Sequence, residues 1–577
     1  MKNWKKCMVF LATILCIAQT GCGTENDKAD ERSGNNQTEK EEQITVKDLS
    51  GASEDEAWEY AEEVIKEIRG REPQFGDYQV SIADFGAVAS ETDAAGEDER
   101  KLAQDNTRAI YKAVCDVNSQ KFGGTVIVPA GTWYTAAIHL KSNVNLHLEE
   151  GAVLKFATDT DLYAGELMEE LYGNKLTFVR SGGIELYNYS PFIYAYKADN
   201  IAITGSGTID GQASGTCWIP WRTLGEPEAS NYLLGQAENG VPVEERLYGE
   251  SEEEPGTATD GYIRPNLIEL IDCDNVLLED FTTANSPAWQ LHPVYCNYVT
   301  IRGVNINSLM ANNDGIDPDS CKYVIIEENI FNTGDDCIAV KSGKNADGRR
   351  VGIASENIVI QNNTMQEGHG GITLGSEASA GIRNVFARNN HMESPAQECC
   401  LRFKNSTLRG NVLENIFYKD TYVSAFKNTR DMIVFQSDYG AETETQYLES
   451  AGIEIKKYAP VTRHVYINGF YAAQENASTA FCATAVSMTG TADSPVSDVH
   501  LKNIEVSRPD VFLKASYVDG LTLEDAVITR NRKKDTFEQC SDITFKNVTY
   551  AQTRQSALED YSVIENFQSE NVRFETK

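Results

Sequence analysis

NYVTIRGVNINS (297–308), KYVIIEENIFNT (322–333) and ENIVIQNNTMQE (356–367) repeat one pattern, an alternating apolar strand followed by a turn that carries Gly or Asn. Aligned on Val299, Val324 and Ile358, the pattern extends back to Val276 and on to Val385, Val412, Val465, Val499, Leu521, Ile543 and Val572. Successive anchors are 22 to 34 residues apart, with one gap of 53, which reads as a coil of 22 to 27 residues with insertions and one skipped turn. A period in this range marks a solenoid. Helical and leucine-rich repeats need helical periodicity or a fixed leucine frame, and neither is present. Short strands at one coil per period fit an all-β, parallel β-helix, whose coils stack about 4.8 Å apart. A β-sandwich would instead repeat its hairpins every 8–12 residues.

Such a solenoid accounts for a chain of 577 residues without splitting it into several cores. Two helices precede or interrupt the strands. Ser53 opens SEDEAWEYAEEVIKEIRG, with Trp58, Ala61, Ile65 and Ile68 at helical spacing and acids in the first turn. NTRAIYKAVCDV (106–117) supplies the other. The expected organisation is a signal at 1–22, a disordered tether at 23–50, a helical segment at 51–77 and a β-helix at 78–577. Residues 23–50 are too polar to bury a core.

The start, MKNWKKCMVFLATILCIAQTGCG, has a lysine-rich leader, an apolar stretch too short for a bilayer and small residues before Cys22. It resembles a bacterial lipoprotein signal, although Gln19 stands where an aliphatic residue is usual. The expectation is an extracellular protein held at the cell surface by a lipid on Cys22 and otherwise free of membrane. Simple cleavage or an uncleaved helix are the other outcomes. The net charge of −36 becomes −39 once the three lysines of residues 1–22 are removed. That surface repels nucleic acid, so any anionic ligand must be held by local cations. Thirteen cysteines form no metal spacing, and the ten outside the leader read equally as small buried hydrophobes or as bridges.

Chemistry-bearing residues concentrate in adjacent coils. NNDGIDPDSC (312–321) and GDDCIAVKSG (334–343) put Asp314 and Asp335 21 residues apart, about one coil, hence on neighbouring rungs. Asp335 and Asp336 would point to opposite faces of a regular strand, unless Gly334 permits a break. Three crowded carboxyls cannot all ionise easily, so one keeps a proton beside ionised bases, as glycoside hydrolysis requires. His369, in EGHGGITLGSE, follows Asp336 by 33 residues, close to the 34 between Val324 and Ile358, and should stack over the acidic pair. Arg402 and Lys404, in LRFKNS, share one strand face, with Phe403 pointing the other way.

In this order ITGSGTIDG (203–211), NSPAWQLHP (285–293), NNDG, GDDCIAVKSG, GHGG and RFK resemble the polygalacturonase family of glycoside hydrolases, family 28. The resemblance runs from about Tyr78 to Lys577. Its opening, VSIADFGAVA, DNTRAIYKAV and GGTVIVPAGTWYT, is similar to pectin-active β-helix proteins generally. It implies a right-handed, pectin-lyase-like solenoid that cleaves α-1,4-galacturonosidic bonds of pectic polysaccharide or oligogalacturonides, as a monomer and without metal or other cofactor. By resemblance Asp335 is the general acid, Asp314 and Asp336 activate water, and His369 supports them. Arg402 and Lys404 bind a galacturonate carboxylate, and Asn312 and Lys341 are subsite residues. Family members invert the anomeric centre, for which acid and base generally stand about 6.5–9.5 Å apart.

Insertions at Asp161–Gly183 and Gly215–Thr259 either wall one end of the groove, favouring removal of terminal units, or decorate the surface. Three rivals stand beside this reading. A pectate lyase would place calcium among Asp314, Asp317, Asp319, Asp335 and Asp336. A rhamnogalacturonan hydrolase generally lacks the GHG and RxK pair. A noncatalytic adhesin predicts no acids clustered on adjacent rungs.

Overall fold

The computed structural model describes residues 46–90, 93–249, 262–427, 429–472, 481–553 and 561–576. The leader and most of the tether lie outside this set. From Lys47 onward the chain is one compact unit. The tether gives way to ordered chain earlier than residue 50. Leu49 is buried, Lys47 N donates to the Tyr60 hydroxyl and Asn384 Nδ2 donates to the Lys47 carbonyl, so the boundary moves to about residue 46.

The body is a right-handed parallel β-helix. A representative coil runs through Asp274–Glu279, Thr282–Ala284 and Leu291–Val294, and each strand pairs in parallel with its equivalent one coil later. The expected columns are real: Val276 faces Val299, then Val324, Ile358 and Val385. Val465, Val499, Leu521 and Ile543 continue them. Two anchors differ. Val385 faces Ile416 rather than Val412, and near the C-terminus Thr544 faces Gln568, leaving Val572 just ahead of the coil's second strand, Arg573–Thr576. There is also no skipped turn, because Ile416 pairs directly with Val465. The intervening chain is one coil, with its regular strand Asp431–Gln436, swollen by the helix Ala441–Ser450.

Stacked identical environments set the internal residues. Asn329, Asn363 and Asn390 form an amide ladder at 3.0 Å per step, meeting the backbone's hydrogen-bonding demand at the bends. Phe403 is buried and stacks on Phe435 at 4.0 Å, facing away from the cleft as expected. The ten described cysteines are all free thiols, eight of them buried, which decides for packing over bridging.

The helix Glu54–Gly70 begins at a Ser53–Glu56 capping box and lies on the outside of the coils. Its buried face is Ala57, Tyr60, Ala61, Val64 and Ile68, rotated slightly from the expected one. The second helix is longer than expected, Gly96–Asn118, and packs Ala103, Ile110, Val114 and Val117 onto the first coils.

The insertions build a second apolar core. Within Asp161–Gly183 and just beyond it, Thr177–Ser181 and Ile184–Asn188 form an antiparallel hairpin. Within Gly215–Thr259 the main element is the helix Glu226–Glu238. Val179, Ile184 and Leu186 of the hairpin pack with Leu233 and Leu234 of that helix, and with Leu448 from the swollen coil.

Candidate active site

Asp314 and Asp336 occupy equivalent positions on neighbouring rungs, since Ile316 bridges Ile338 two residues later and Gly315 N donates to the Asp336 carbonyl. Asp335 joins them because the strand rhythm breaks at Gly334. A β-carbon there would stand 1.9 Å from the Met310 carbonyl oxygen, so only glycine lets the chain pass so close. One oxygen from each of Asp314, Asp335 and Asp336 lies within 4.8 Å of the others. This is tighter than the general spacing of about 6.5–9.5 Å expected for inversion.

The three differ in access. The Asp335 side chain is 23% exposed, against 6% for Asp314 and 1% for Asp336. Asp335 therefore forms the rim. His369 stands over it rather than over both acids: its backbone N donates to the Asp335 carbonyl at 2.8 Å, and its Nδ1 is 3.2 Å from Asp335 Oδ1. That hydrogen bond and the charge of Asp335 outweigh burial and raise the His369 pKa above its ordinary value.

Asp336 is the ionised member. Burial alone pushes its carboxyl up, but Lys404 Nζ at 2.5 Å and Arg402 Nη1 at 3.8 Å outweigh it and hold the pKa below the usual carboxylate range. Both cations also face the Tyr439 ring, which comes from the swollen coil. Lys404 is 7% exposed and Arg402 is 18% exposed, so Arg402 presents more of its cation outward. Asp314 is the protonated member: burial, then the like charges of Asp317 and Asp335, raise its pKa well above the usual value against the pull of Lys341. Carboxyls this close titrate as a set, so the retained proton belongs to the cluster.

Lys341 departs from the expected subsite role. It is buried, and its Nζ lies 3.1 Å from Glu377, 3.5 Å from Asp317 and 3.9 Å from Asp314, over the Trp289 ring at 4.3 Å. It neutralises the cluster from below. Asn312 takes a left-handed backbone (φ 59°) and accepts from Arg264 Nη2 at 2.9 Å. Its neighbour Asn313 ties the loop to the Ser286 and Ala288 carbonyls, which fixes Asp314.

Beneath lies a fully buried charge layer. His292 sits between Glu269 and Asp319, and Arg180 of the hairpin pairs with Asp319 at 3.2 Å. Burial lowers the His292 pKa, but the two carboxylates outweigh it and push it up to about 9. Asp319 is thereby committed to Arg180 and His292, and Asp317 to Lys341, which leaves Asp314, Asp335 and Asp336 as the carboxylates grouped closely enough to share an ion.

GHGG is explained by close packing. A β-carbon on Gly370 would meet Thr373 Oγ1 at 2.3 Å and Asp336 Oδ1 at 2.5 Å, two buried atoms with no hydrogen-bond partner. Glycine thus preserves a polar niche against Asp336. Glu377, Trp289, Arg264 and Tyr439 received no role from sequence reasoning. The motifs EGHGGITLGSE and NSPAWQLHP contain the first two, whereas Arg264 and Tyr439 lie outside every motif.

A recess of 280 Å³ adjoins the cluster, lined by Trp289, Asn312, Arg264 and Arg222, with the hairpin turn Ser181–Gly182 and helix residue Glu226 opposite. The insertions therefore wall this end of the groove.

Coils, clustered carboxylates and paired cations place a candidate acid–base site on a parallel β-helix. The family model "Glycosyl hydrolases family 28" matches residues 249–522. A probable polygalacturonase of Vitis vinifera is 29% identical over 376 residues, 64% of this chain and 65% of that protein. An exo-poly-alpha-D-galacturonosidase of Dickeya chrysanthemi is 25% identical over 63% of this chain and 59% of its own length. The chain thus spans about three fifths to two thirds of these curated relatives. The crystal structure of a hyperthermoactive exopolygalacturonase from Thermotoga maritima superimposes with a TM-score of 0.63 at 32% identity, covering 89% of this chain and 96% of that one. The chain belongs to glycosyl hydrolase family 28.

Proposed function

We propose that this enzyme hydrolyses α-1,4-galacturonosidic bonds of pectic polygalacturonate and its oligomers, acting from a chain end. One observation carries the reading: a partly exposed Asp335 beside His369 stands within 4.8 Å of a buried Asp336 that two cations keep ionised. In this reading Asp335 gives its proton to the glycosidic oxygen as the C1–O bond breaks. Asp336, the ionised member, takes a proton from the water that attacks C1, with Asp314 helping to hold that water by a hydrogen bond, leaving a saturated reducing sugar and a shortened chain. Asp336 is too buried and too tightly paired to reach an anomeric carbon itself, which supports single displacement through water held beside the cluster. Arg402 faces the substrate carboxylate. Lys404 and Lys341 act through Asp336 and Asp314 as positioning residues.

The walled recess supports exo action, and the relatives named for exo activity agree with it. Family membership in the hydrolases supports hydrolysis over the lyase alternative. The layout of residues 1–22 supports export and a lipid on Cys22, which would hold the catalytic unit outside the cell.

Product profiling of wild type and Asp335→Asn on polygalacturonate tests the reading. Terminal saturated products of inverted anomeric configuration, lost in the variant, are expected. Full activity in Asp335→Asn, or initial retention of configuration by NMR, overturns it. The raised pKa of Asp314 favours a second assignment, with Asp314 as donor. An aryl galacturonide whose leaving group needs no proton should restore turnover only to the variant lacking the donor.

A further inference from the structure

The sheet that carries the site begins several coils earlier, and there its outer face opens into a separate cavity of 480 Å³. His139 and Tyr194 form its floor. Tyr111 and Tyr172 stand on one side, and Lys141, Tyr196 and Lys197 at the other. Tyr194 faces Glu269, Glu269 faces His292, and Asp317 lies one rung further. Three rungs put the cavity about 14 Å before the carboxylates. The hairpin lies between: Phe178 packs on Tyr196 at 5.6 Å, the Tyr194 hydroxyl donates to the Phe178 carbonyl at 2.7 Å, and Arg180 reaches down to Asp319. The hairpin thus contacts both Asp319 beneath the site and two tyrosines that line this second cavity.

Its chemistry is that of a uronic-acid site. The aromatic wall is preorganised, with the His139 ring stacked on Tyr172 at 3.7 Å, Tyr111 edge-on to Tyr172 at 5.6 Å, and the Tyr172 hydroxyl fixed on the Ala137 carbonyl. Tyr196 is 46% exposed, a large aromatic face left in water beside a concave surface. In a chain of net charge −36, cations are expected to find carboxylates. Among the described residues Lys141 and Lys197 form no ion pair with a carboxylate; the Lys197 ammonium is engaged by the Tyr196 side chain, 5.1 Å from its ring centre, with Asp272 adding a weaker pull. Aromatic faces that pack against pyranose C–H groups, beside ammonium groups that no carboxylate of the protein neutralises, are what an acidic oligosaccharide requires.

We propose that this cavity is a second, noncatalytic carbohydrate site that binds an oligomer of uronic acid and so holds polymer near the cleft. The ligand class rests on the substrate reading above. A tethered polymer presents its end at raised effective concentration, so the site should matter for long chains and not for short ones.

The test uses the full chain carrying Asp335→Asn, titrated with tetragalacturonate by calorimetry. Two binding events are expected, and one of them should vanish in Lys141→Gln/Lys197→Gln and, separately, in Tyr196→Ala. In otherwise wild-type enzyme the lysine pair should raise KM on polygalacturonate roughly threefold or more, with kcat and trigalacturonate turnover unchanged. Unchanged stoichiometry in both variants overturns the proposal, as does equally tight binding of a neutral maltotetraose. Titration needs no turnover, so failure of the wild type to cleave polygalacturonate would defeat the functional reading alone.

Discussion

Replacing Lys404 by Met separates a residue that sets the base from one that grips substrate. Lys404 Nζ is 2.5 Å from Asp336 Oδ2, and Asp336 is 1% exposed. Met keeps the apolar stem and removes the charge, leaving Asp336 with Arg402 at 3.8 Å. Removing one partner of a buried pair costs about 3–5 kcal/mol, unless the remaining group neutralises itself. The Asp336 pKa lies below its unfolded value, so its contribution is present above about pH 4 and fades as pH falls through the folded value. The stability loss in Lys404→Met should therefore be full at pH 7 and shrink as pH falls below about 4 and through the folded Asp336 value.

Activity should respond in the same sense. A nearby opposite charge lowers a carboxylate pKa by about 1–3 pH units. Its removal should move the acidic limb of kcat/KM upward by that amount, a loss of roughly 10- to 1000-fold on the acid side. A pH–rate profile on trigalacturonate with parallel thermal melts measures both effects. A raised KM with the acidic limb unmoved would mean that Lys404 serves the substrate directly, and the positioning role would fall.

His369→Asn should lower kcat about 10- to 100-fold with little change in KM and abolish the basic limb that a histidine of raised pKa contributes, read from the pH profile. Gly370→Ala should retain the fold at a cost of about 1–3 kcal/mol in urea melts, yet lose most activity, because its methyl would occupy the niche against Asp336. The charge layer under the site should give alkaline sensitivity. The His292 pKa is pushed up to about 9, so the stability it supplies is complete below about pH 6.5 and is lost as pH rises through 9. Melting temperature should fall between pH 7 and 10 in wild type, with a shallower slope in His292→Asn.

Much of this architecture was legible because a β-helix writes its geometry as spacing. Asp314 to Asp335 is 21 residues, Ile316 to Ile338 is one rung, and His369 lands on Asp335 because the coil from Val324 to Ile358 is 34 residues long. Register fails where several apolar residues compete. Val412 and Ile416 both fit the pattern, and only the paired backbone selects Ile416. The swollen coil resembled a skipped turn because a helix with one buried residue, Leu448, carries little apolar periodicity. Roles were harder than positions. Lys341 and Lys404 resemble substrate cations in sequence, but their burial against Asp314, Asp317, Glu377 and Asp336 emerges only when four coils are stacked. Tyr439 comes from the swollen coil and Arg264 from the stretch just after the second insertion, where no periodicity announces them.

The second apolar core has a consequence for how the molecule comes apart. In a plain solenoid each coil touches only its neighbours, so unravelling can start at either end and proceed one rung at a time. Here Val179 and Leu186 share a core with Leu234 and Leu448, residues that belong to coils far apart along the axis. That clasp should make the rungs beneath it melt as one block, bracketing the carboxylates in the stretch that frays last.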